Sequence, residues 1–253
     1  MSDTTSKRKK QDFEHVLDES DTNVASFERE ARGVLGSIQH FLHSAPTMVP
    51  VIVLALSVAT FGFIAGDKFF SAFNLSLIIQ QVSIIGILAA AQSLVILTAG
   101  IDLSIAAIMV LMSVISGKLA VEFGVPAPLA ILVGFGGGLL AGGLNGFLIT
   151  KIKLPPFITT LGTWNIFYAL LLWLSSAQSI RGADIDETAP MLKWFGETIA
   201  IGSARITYGS VLMVLVFAVL WYMLNKTAWG RHVYAVGDDK EAAELAGIRA
   251  DRT

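Results

Sequence analysis

Residues 129–150 read LAILVGFGGGLLAGGLNGFLIT, 22 residues without a single charge. A helix crossing a bilayer needs roughly 20 mainly apolar residues, and this run is long enough. Gly134, Gly138, Gly142 and Gly146 recur at four-residue spacing. That spacing stacks them on one helix face. Gly136, Gly137 and Gly143 enlarge the smooth area. In lipid such a face lets a second backbone approach closely and pack. It reads first as a helix-packing face. The sharper reading is a thin wall beside a pathway. Asn145 lies inside the run and needs a hydrogen-bond partner, either on another helix or on a ligand.

The rest of the chain repeats the pattern. Of 253 residues, 54% are hydrophobic and only 15% charged. A soluble domain carries about 25% charge. The sequence therefore reads as an all-α, polytopic membrane helix bundle. Six spans can be drawn by apolar run length: Met48–Gly66, Leu77–Thr98, Leu103–Ala120, Leu129–Thr150, Phe157–Ala177 and Tyr208–Asn225. The third is short and interrupted, with Lys118 near its end. Most loops are short. The exception is Ser179–Ile206, which is net acidic (Asp184, Asp186, Glu187 and Glu197 against Arg181, Lys193 and Arg205).

The charges divide the chain into a charged head (1–47), an apolar body (48–225) and a charged tail (226–253). The head opens with Lys7-Arg8-Lys9-Lys10, but no apolar run follows directly, as a signal peptide would require. It reads as a cytoplasmic extension. Phe27–His43 carries Val34, Ile38, Phe41 and Leu42 at helical spacing, so it is either an amphipathic surface helix or a mobile tail. Basic residues near span ends favour the cytoplasmic side. With the head inside, seven flank that side (Arg29, Arg32, Lys151, Lys153, Lys226, Arg231 and Lys240) and five flank the other (Lys68, Lys118, Arg181, Lys193 and Arg205).

Polar residues inside the body are the candidate pathway groups. Thr98-Ala99-Gly100-Ile101-Asp102-Leu103-Ser104 interrupts two spans, and Asp102 is the only acid between Asp67 and Glu122. An ionisable residue at membrane depth is a functional candidate by default. It can equally cap a helix starting at Leu103, with help from Ser104. The two roles coexist where a broken helix lines a cavity. Pro155-Pro156 opens the fifth span, as suits a first helical turn. Beyond it stand Thr159, Thr160, Thr163, Trp164 and Asn165. Hydroxyls, an amide and an indole are what a sugar site uses. The structural alternative is that the threonines bond back to their own helix and Trp164 faces lipid. Gln80, Gln81 and Gln92 are weaker candidates.

The tail Gly237-Asp238-Asp239-Lys240-Glu241-Ala242-Ala243-Glu244-Leu245-Ala246-Gly247 reads as a two-turn helix. Asp238 is the expected N-cap, Glu241 follows as in a capping box, and Gly247 is the stop. So short a helix is unstable alone. It makes sense docked, and Ala242, Ala243 and Ala246 suit a groove. Otherwise it is a surface turn.

Several chemistries are excluded. With no cysteine there is no disulfide framework, zinc-thiolate site or iron–sulfur cluster. No histidine lies between His43 and His232, which argues against serine–histidine intramembrane proteolysis. No H-E-x-x-H and no phosphate-binding G-x-x-x-x-G-K-[ST] loop occurs. A net charge of −2 leaves no basic footprint for nucleic acid. No metal and no cofactor are expected, and the chain does not read as an enzyme.

Four stretches, in order, carry a family resemblance: Leu94–Ser104, Gly142–Gly146, Leu154–Thr163, and Thr227–Gly237 followed by Glu241-Ala242-Ala243 and Ala246-Gly247-Ile248. Over roughly 48–253 the chain resembles the permease subunit of a bacterial ATP-binding-cassette importer for monosaccharides, the ribose/xylose/galactose/fructose group. The Thr227–Gly237 wording and the charged head look most like fructose-importer permeases. The resemblance implies a multi-pass protein of the bacterial inner membrane, paired as a homodimer with a second permease copy. It implies an ATP-binding subunit with two cassettes that hydrolyses the ATP, and a periplasmic sugar-binding protein. Asp239–Ala246 would be the coupling helix, with Gly237, Asp239, Glu241, Ala242, Ala243, Ala246 and Gly247 as contact or shaping residues. It also implies about ten spans, of which about six are drawn here, so the chain reads as C-terminally truncated. A stand-alone facilitator or a membrane scaffold is the competing class. The coupling-like tail separates them, because a facilitator has no use for it.

Overall fold

The computed structural model describes residues 42–45 and 47–252. The expected helix over Phe27–His43 lies almost wholly outside the described residues. The chain divides into two compact units, one ending at Phe69 and one beginning at Phe70.

In the first unit, helix α1 (Met48–Ala65) runs into a single 3-10 turn at Gly66–Lys68. None of its residues is buried, and Phe63 is 93% exposed. Its two hydroxyls are silenced locally: Ser57 donates to the Val53 carbonyl and Thr60 to that of Leu56, each at 2.8 Å. That leaves an apolar cylinder suited to lipid on all sides.

The second unit holds the remaining spans. Helix α2 (Ala72–Leu97) starts at Ser71, whose side chain accepts from the Asn74 N–H. It stops in a six-residue turn in which the Gly100 N–H reaches the Val95 carbonyl and the Ala99 N–H reaches Ile96, with Ala99 left-handed at φ 57°. This is the Schellman stop, with alanine where glycine is usual. Helices α3 (Ile105–Val121), α4 (Ala127–Thr150) and α5 (Pro156–Ser175) follow. They share a core of Ala107, Leu111, Ala141, Phe167 and Leu171. Helix α7 (Tyr208–Lys226) packs mainly on α2, and a Cβ on Gly86 would overlap the Met213 side chain.

Among the described residues, five helices are long and apolar enough to cross a membrane, and α3 is a shorter apolar helix of 17 residues. At about 1.5 Å per residue, α3 falls short of a hydrocarbon core of about 30 Å. Burial agrees with lipid as solvent. The buried residues are mostly Ala, Gly, Ser and Thr, while Leu139, Leu140 and Trp173 are each at least 75% exposed. Small residues inside and large apolar ones outside is how helices pack in membranes.

The long loop is more structured than a charge count reveals. It forms α6 (Gly182–Thr188), a 3-10 segment (Pro190–Gly196) and a hairpin of β1 (Thr198–Ile201) and β2 (Ala204–Thr207). The strands pair antiparallel from Thr198–Thr207 to Ile201–Ala204, and Gly202 turns the hairpin at φ +62°, a backbone angle such turns require. Ala189 packs with Ala120, Ala127 and Ala130 at the ends of α3 and α4. The Arg205 N–H donates to Ser76 Oγ on α2 at 2.9 Å. Trp194 stacks on Tyr208 at 5.0 Å.

After α7 the chain forms α8 (Ala228–Asp238) and the short α9 (Lys240–Leu245). The boundary placed at 226 falls at the last residue of α7. The tail corrects two readings. Asp238 ends α8, and the N-cap of α9 is Asp239, whose Oδ1 accepts from the Ala242 N–H at 3.0 Å. Glu241 then stands one position too early for a capping box. Gly247, at φ +87°, closes α9 as expected, with the Ile248 N–H on the Ala243 carbonyl.

Candidate functional site

The break between α2 and α3 gathers several of the buried polar side chains. Asp102 does not cap a helix at Leu103, because α3 begins at Ile105. Instead Asp102 Oδ1 accepts from both the N–H and the Oγ–H of Ser104, each at 2.7 Å. This is an Asx-turn, in which the carboxylate folds onto the backbone two residues on. Asn145 Nδ2 donates to Ser104 Oγ at 2.7 Å. A carboxylate, a hydroxyl and an amide thus run in series from the break onto α4. Ser104 is fully buried and Asn145 is 3% exposed.

Helix α5 closes the other side. Thr160, fully buried, donates to the Ile101 carbonyl at 3.2 Å while also bonding to Pro156 in its own helix at 2.9 Å. Thr160 stands in the sequence beside the other α5 candidates and Ser104 only as help for a cap, yet these two bind the break to its neighbours. A periodicity signal for Thr160 existed: Thr160, Thr163, Phe167 and Leu171 form the buried stripe of α5.

The other candidates stand apart. Thr159 and Thr163 are buried, but their hydroxyls are spent on the Pro155 and Thr160 carbonyls. Asn165 is exposed and bonds to the Leu161 carbonyl. Trp164 is part-exposed and stacks on Tyr168 at 5.9 Å. The glycine face is used only in part. A Cβ on Gly134 would overlap Ser116, and one on Gly138 would touch Met112, whereas Gly142 and Gly146 meet nothing. Among the described residues, no group of three His, Asp or Glu side chains could hold a metal.

The tail segment sits at the same end of this unit. Helix α8 buries Gly230, Val233 and Val236. Gly237 lies against the Leu97 carbonyl at the end of α2. On α9, Ala243 is buried within the chain, Ala242 and Ala246 are exposed, and Leu245 is 91% exposed. The three alanines therefore do not form one free face. Lys151, just past α4, pairs with Asp251 at 2.5 Å.

This helical membrane unit with a broken span matches a known class. Residues 74–253 fit the family model described as branched-chain amino acid transport system / permease component. The chain belongs to this permease family and is a multi-pass membrane transport component. It is 54% identical over 248 residues to the fructose import permease protein of Rhizobium meliloti, covering 98% of this chain and 69% of that one. It is 38% identical over 189 residues to the ribose import permease protein of Bacillus subtilis (strain 168), covering 75% and 56%. It is 34% identical over 200 residues to the D-allose transport system permease protein of Escherichia coli (strain K12), covering 78% and 58%. The chain thus spans about 56–69% of the length of these relatives. No solved structure matches it.

Proposed function

We propose that the chain is the membrane-spanning permease subunit of an ATP-driven importer that passes a monosaccharide, fructose in the first instance, across the bacterial inner membrane. The observation that carries this reading is 54% identity to a fructose import permease over 98% of the chain. Ribose or another pentose or hexose is the next substrate in line. ATP is hydrolysed by a separate subunit with two cassettes, sugar arrives from a periplasmic binding protein, and a second permease copy completes the membrane part. Residues 1–47 are the cytoplasmic extension, 48–225 the membrane domain and 226–253 the coupling segment.

Within that reading, Asp102, Asn145, Thr159, Thr163 and Asn165 border the sugar path, with the first two favoured by their place in the polar series. Gly237, Asp239, Glu241, Ala242, Ala243, Ala246 and Gly247 form or shape the coupling segment. A capped helix with a bare leucine at its end supports this reading over a stand-alone facilitator. The test is uptake of labelled fructose and ribose by cells lacking their own importers. The chain is expressed there with and without the ATPase and binding protein of a fructose importer. Uptake of fructose that needs both partners is expected. Uptake without the ATPase would favour a facilitator.

A further inference from the structure

The hydrogen-bond order around Ser104 is forced by chemistry. The Asp102 carboxylate can only accept, so Ser104 spends its hydroxyl hydrogen there. The Ser104 oxygen is then left to accept, and Asn145 must present its NH2. The amide oxygen of Asn145 is thereby turned away from Ser104. It is buried and has no partner among the described residues. A buried carbonyl without a donor is costly enough that native proteins rarely leave one.

Other unspent groups lie within a turn of Ser104. Asp102 Oδ1 takes both bonds from Ser104, and Oδ2 takes none among the described residues. Helix α3 has no side-chain cap. Its first intrahelical bond is the Ile108 N–H to the Ser104 carbonyl. The N–H groups of Ile105, Ala106 and Ala107 therefore find no acceptor among the described residues. A helix start left open in this way offers donors to a ligand. The hydroxyls of Thr159 and Thr163 and the amide of Asn165, by contrast, donate to their own helix.

We infer that the α2–α3 break is a binding site for one neutral polyhydroxyl molecule, held by Asn145 Oδ1, Asp102 Oδ2 and the open N-terminus of α3. Two acceptors beside a row of donors match hydroxyl groups, each of which gives one hydrogen bond and takes others. An anion would meet the Asp102 carboxylate, and a cation would meet the positive end of α3. The choice of a sugar as that molecule rests on the permease reading. The site itself rests on the unspent groups.

The absence of cysteine gives a direct test. In the full chain in native membranes, Leu103→Cys places a single thiol between Asp102 and Ser104. Its alkylation by a small neutral maleimide is timed with and without D-fructose. A several-fold slower reaction with fructose is expected, and no slowing with gluconate at the same concentration. A second reporter, Leu245→Cys, should react at one rate throughout. Adding Asn145→Leu or Asp102→Asn to Leu103→Cys should each abolish protection. Unchanged labelling with fructose would overturn the site, as would protection that survives both substitutions. A trapped water as the missing donor predicts that first result. Protection by gluconate would overturn the selection for a neutral ligand. Uptake with the partner proteins decides the permease reading separately. Uptake without protection removes only this site, and protection without uptake removes only the transport reading.

Discussion

The backbone of Gly237 lies against the carbonyl oxygen of Leu97, with no room for a methyl group between them. Leu97 is the last residue of α2, and the next seven residues are the break that holds Asp102 and Ser104. The start of the proposed coupling segment therefore bears on the strand of chain that leads into the polar series.

Gly237→Ala should force α8 away from α2, because the atom in the way is backbone and cannot swing aside. Overpacking of this kind costs about 1–3 kcal/mol. Thermal unfolding of the purified chain in detergent should show a lower midpoint. With the partner subunits present, sugar-stimulated ATP hydrolysis should fall further than the amount of folded permease does. A midpoint equal to that of the unsubstituted chain would mean that the contact is loose.

Ser104→Ala should strand the Asn145 amide with neither of its polar ends paired, at a cost of about 1–3 kcal/mol. Ser104→Ala combined with Asn145→Leu removes the stranded group. The double variant should thus be no less stable than Ser104→Ala alone. Unfolding midpoints for the two singles and the double measure this coupling. Strict additivity would mean that the two side chains act independently.

The tail alanines should separate by burial. Ala243 is 5% exposed, so Ala243→Arg should reduce the amount of folded chain in the membrane. Ala246 is exposed, so Ala246→Arg should leave that amount unchanged and weaken coupling to the ATPase. Leu245→Glu should behave like Ala246→Arg. Normal sugar-stimulated ATPase activity in both of the latter variants would make α9 a plain surface turn.

Reporter fusions after Ala120 and within residues 179–206 should read as periplasmic, since the basic flanks favour a cytoplasmic head and tail. A cytoplasmic signal from the second fusion would reverse the orientation of the whole bundle.

The spans were legible because run length in lipid is a blunt requirement. Tyr208–Asn225 was drawn, and Tyr208–Lys226 is observed. The folded lobe of residues 182–207 was not legible. Its helix has seven residues and its strands four each, too few for a periodic pattern to stand out. Helix α8 was missed for a different reason: its buried Gly230, Val233 and Val236 were quoted only as part of a motif. Asn145 could be seen to need a partner. That the partner is Ser104, 41 residues away, follows only from how α3 and α4 meet. The four-residue glycine spacing marked a smooth face, but the sequence could not tell that this chain fills only its first half.

The reversal of size between interior and exterior has a bearing on how such a chain drifts over generations. Exchanges among Leu, Ile, Val and Phe on the lipid-facing side leave the meeting surfaces of the helices untouched. Most large apolar side chains lie on that side. The positions that cannot change are the small ones, where an added methyl group would separate two backbones. Divergence can therefore accumulate where it alters nothing about assembly. Percentage identity between two such bundles then understates how alike their helix contacts are.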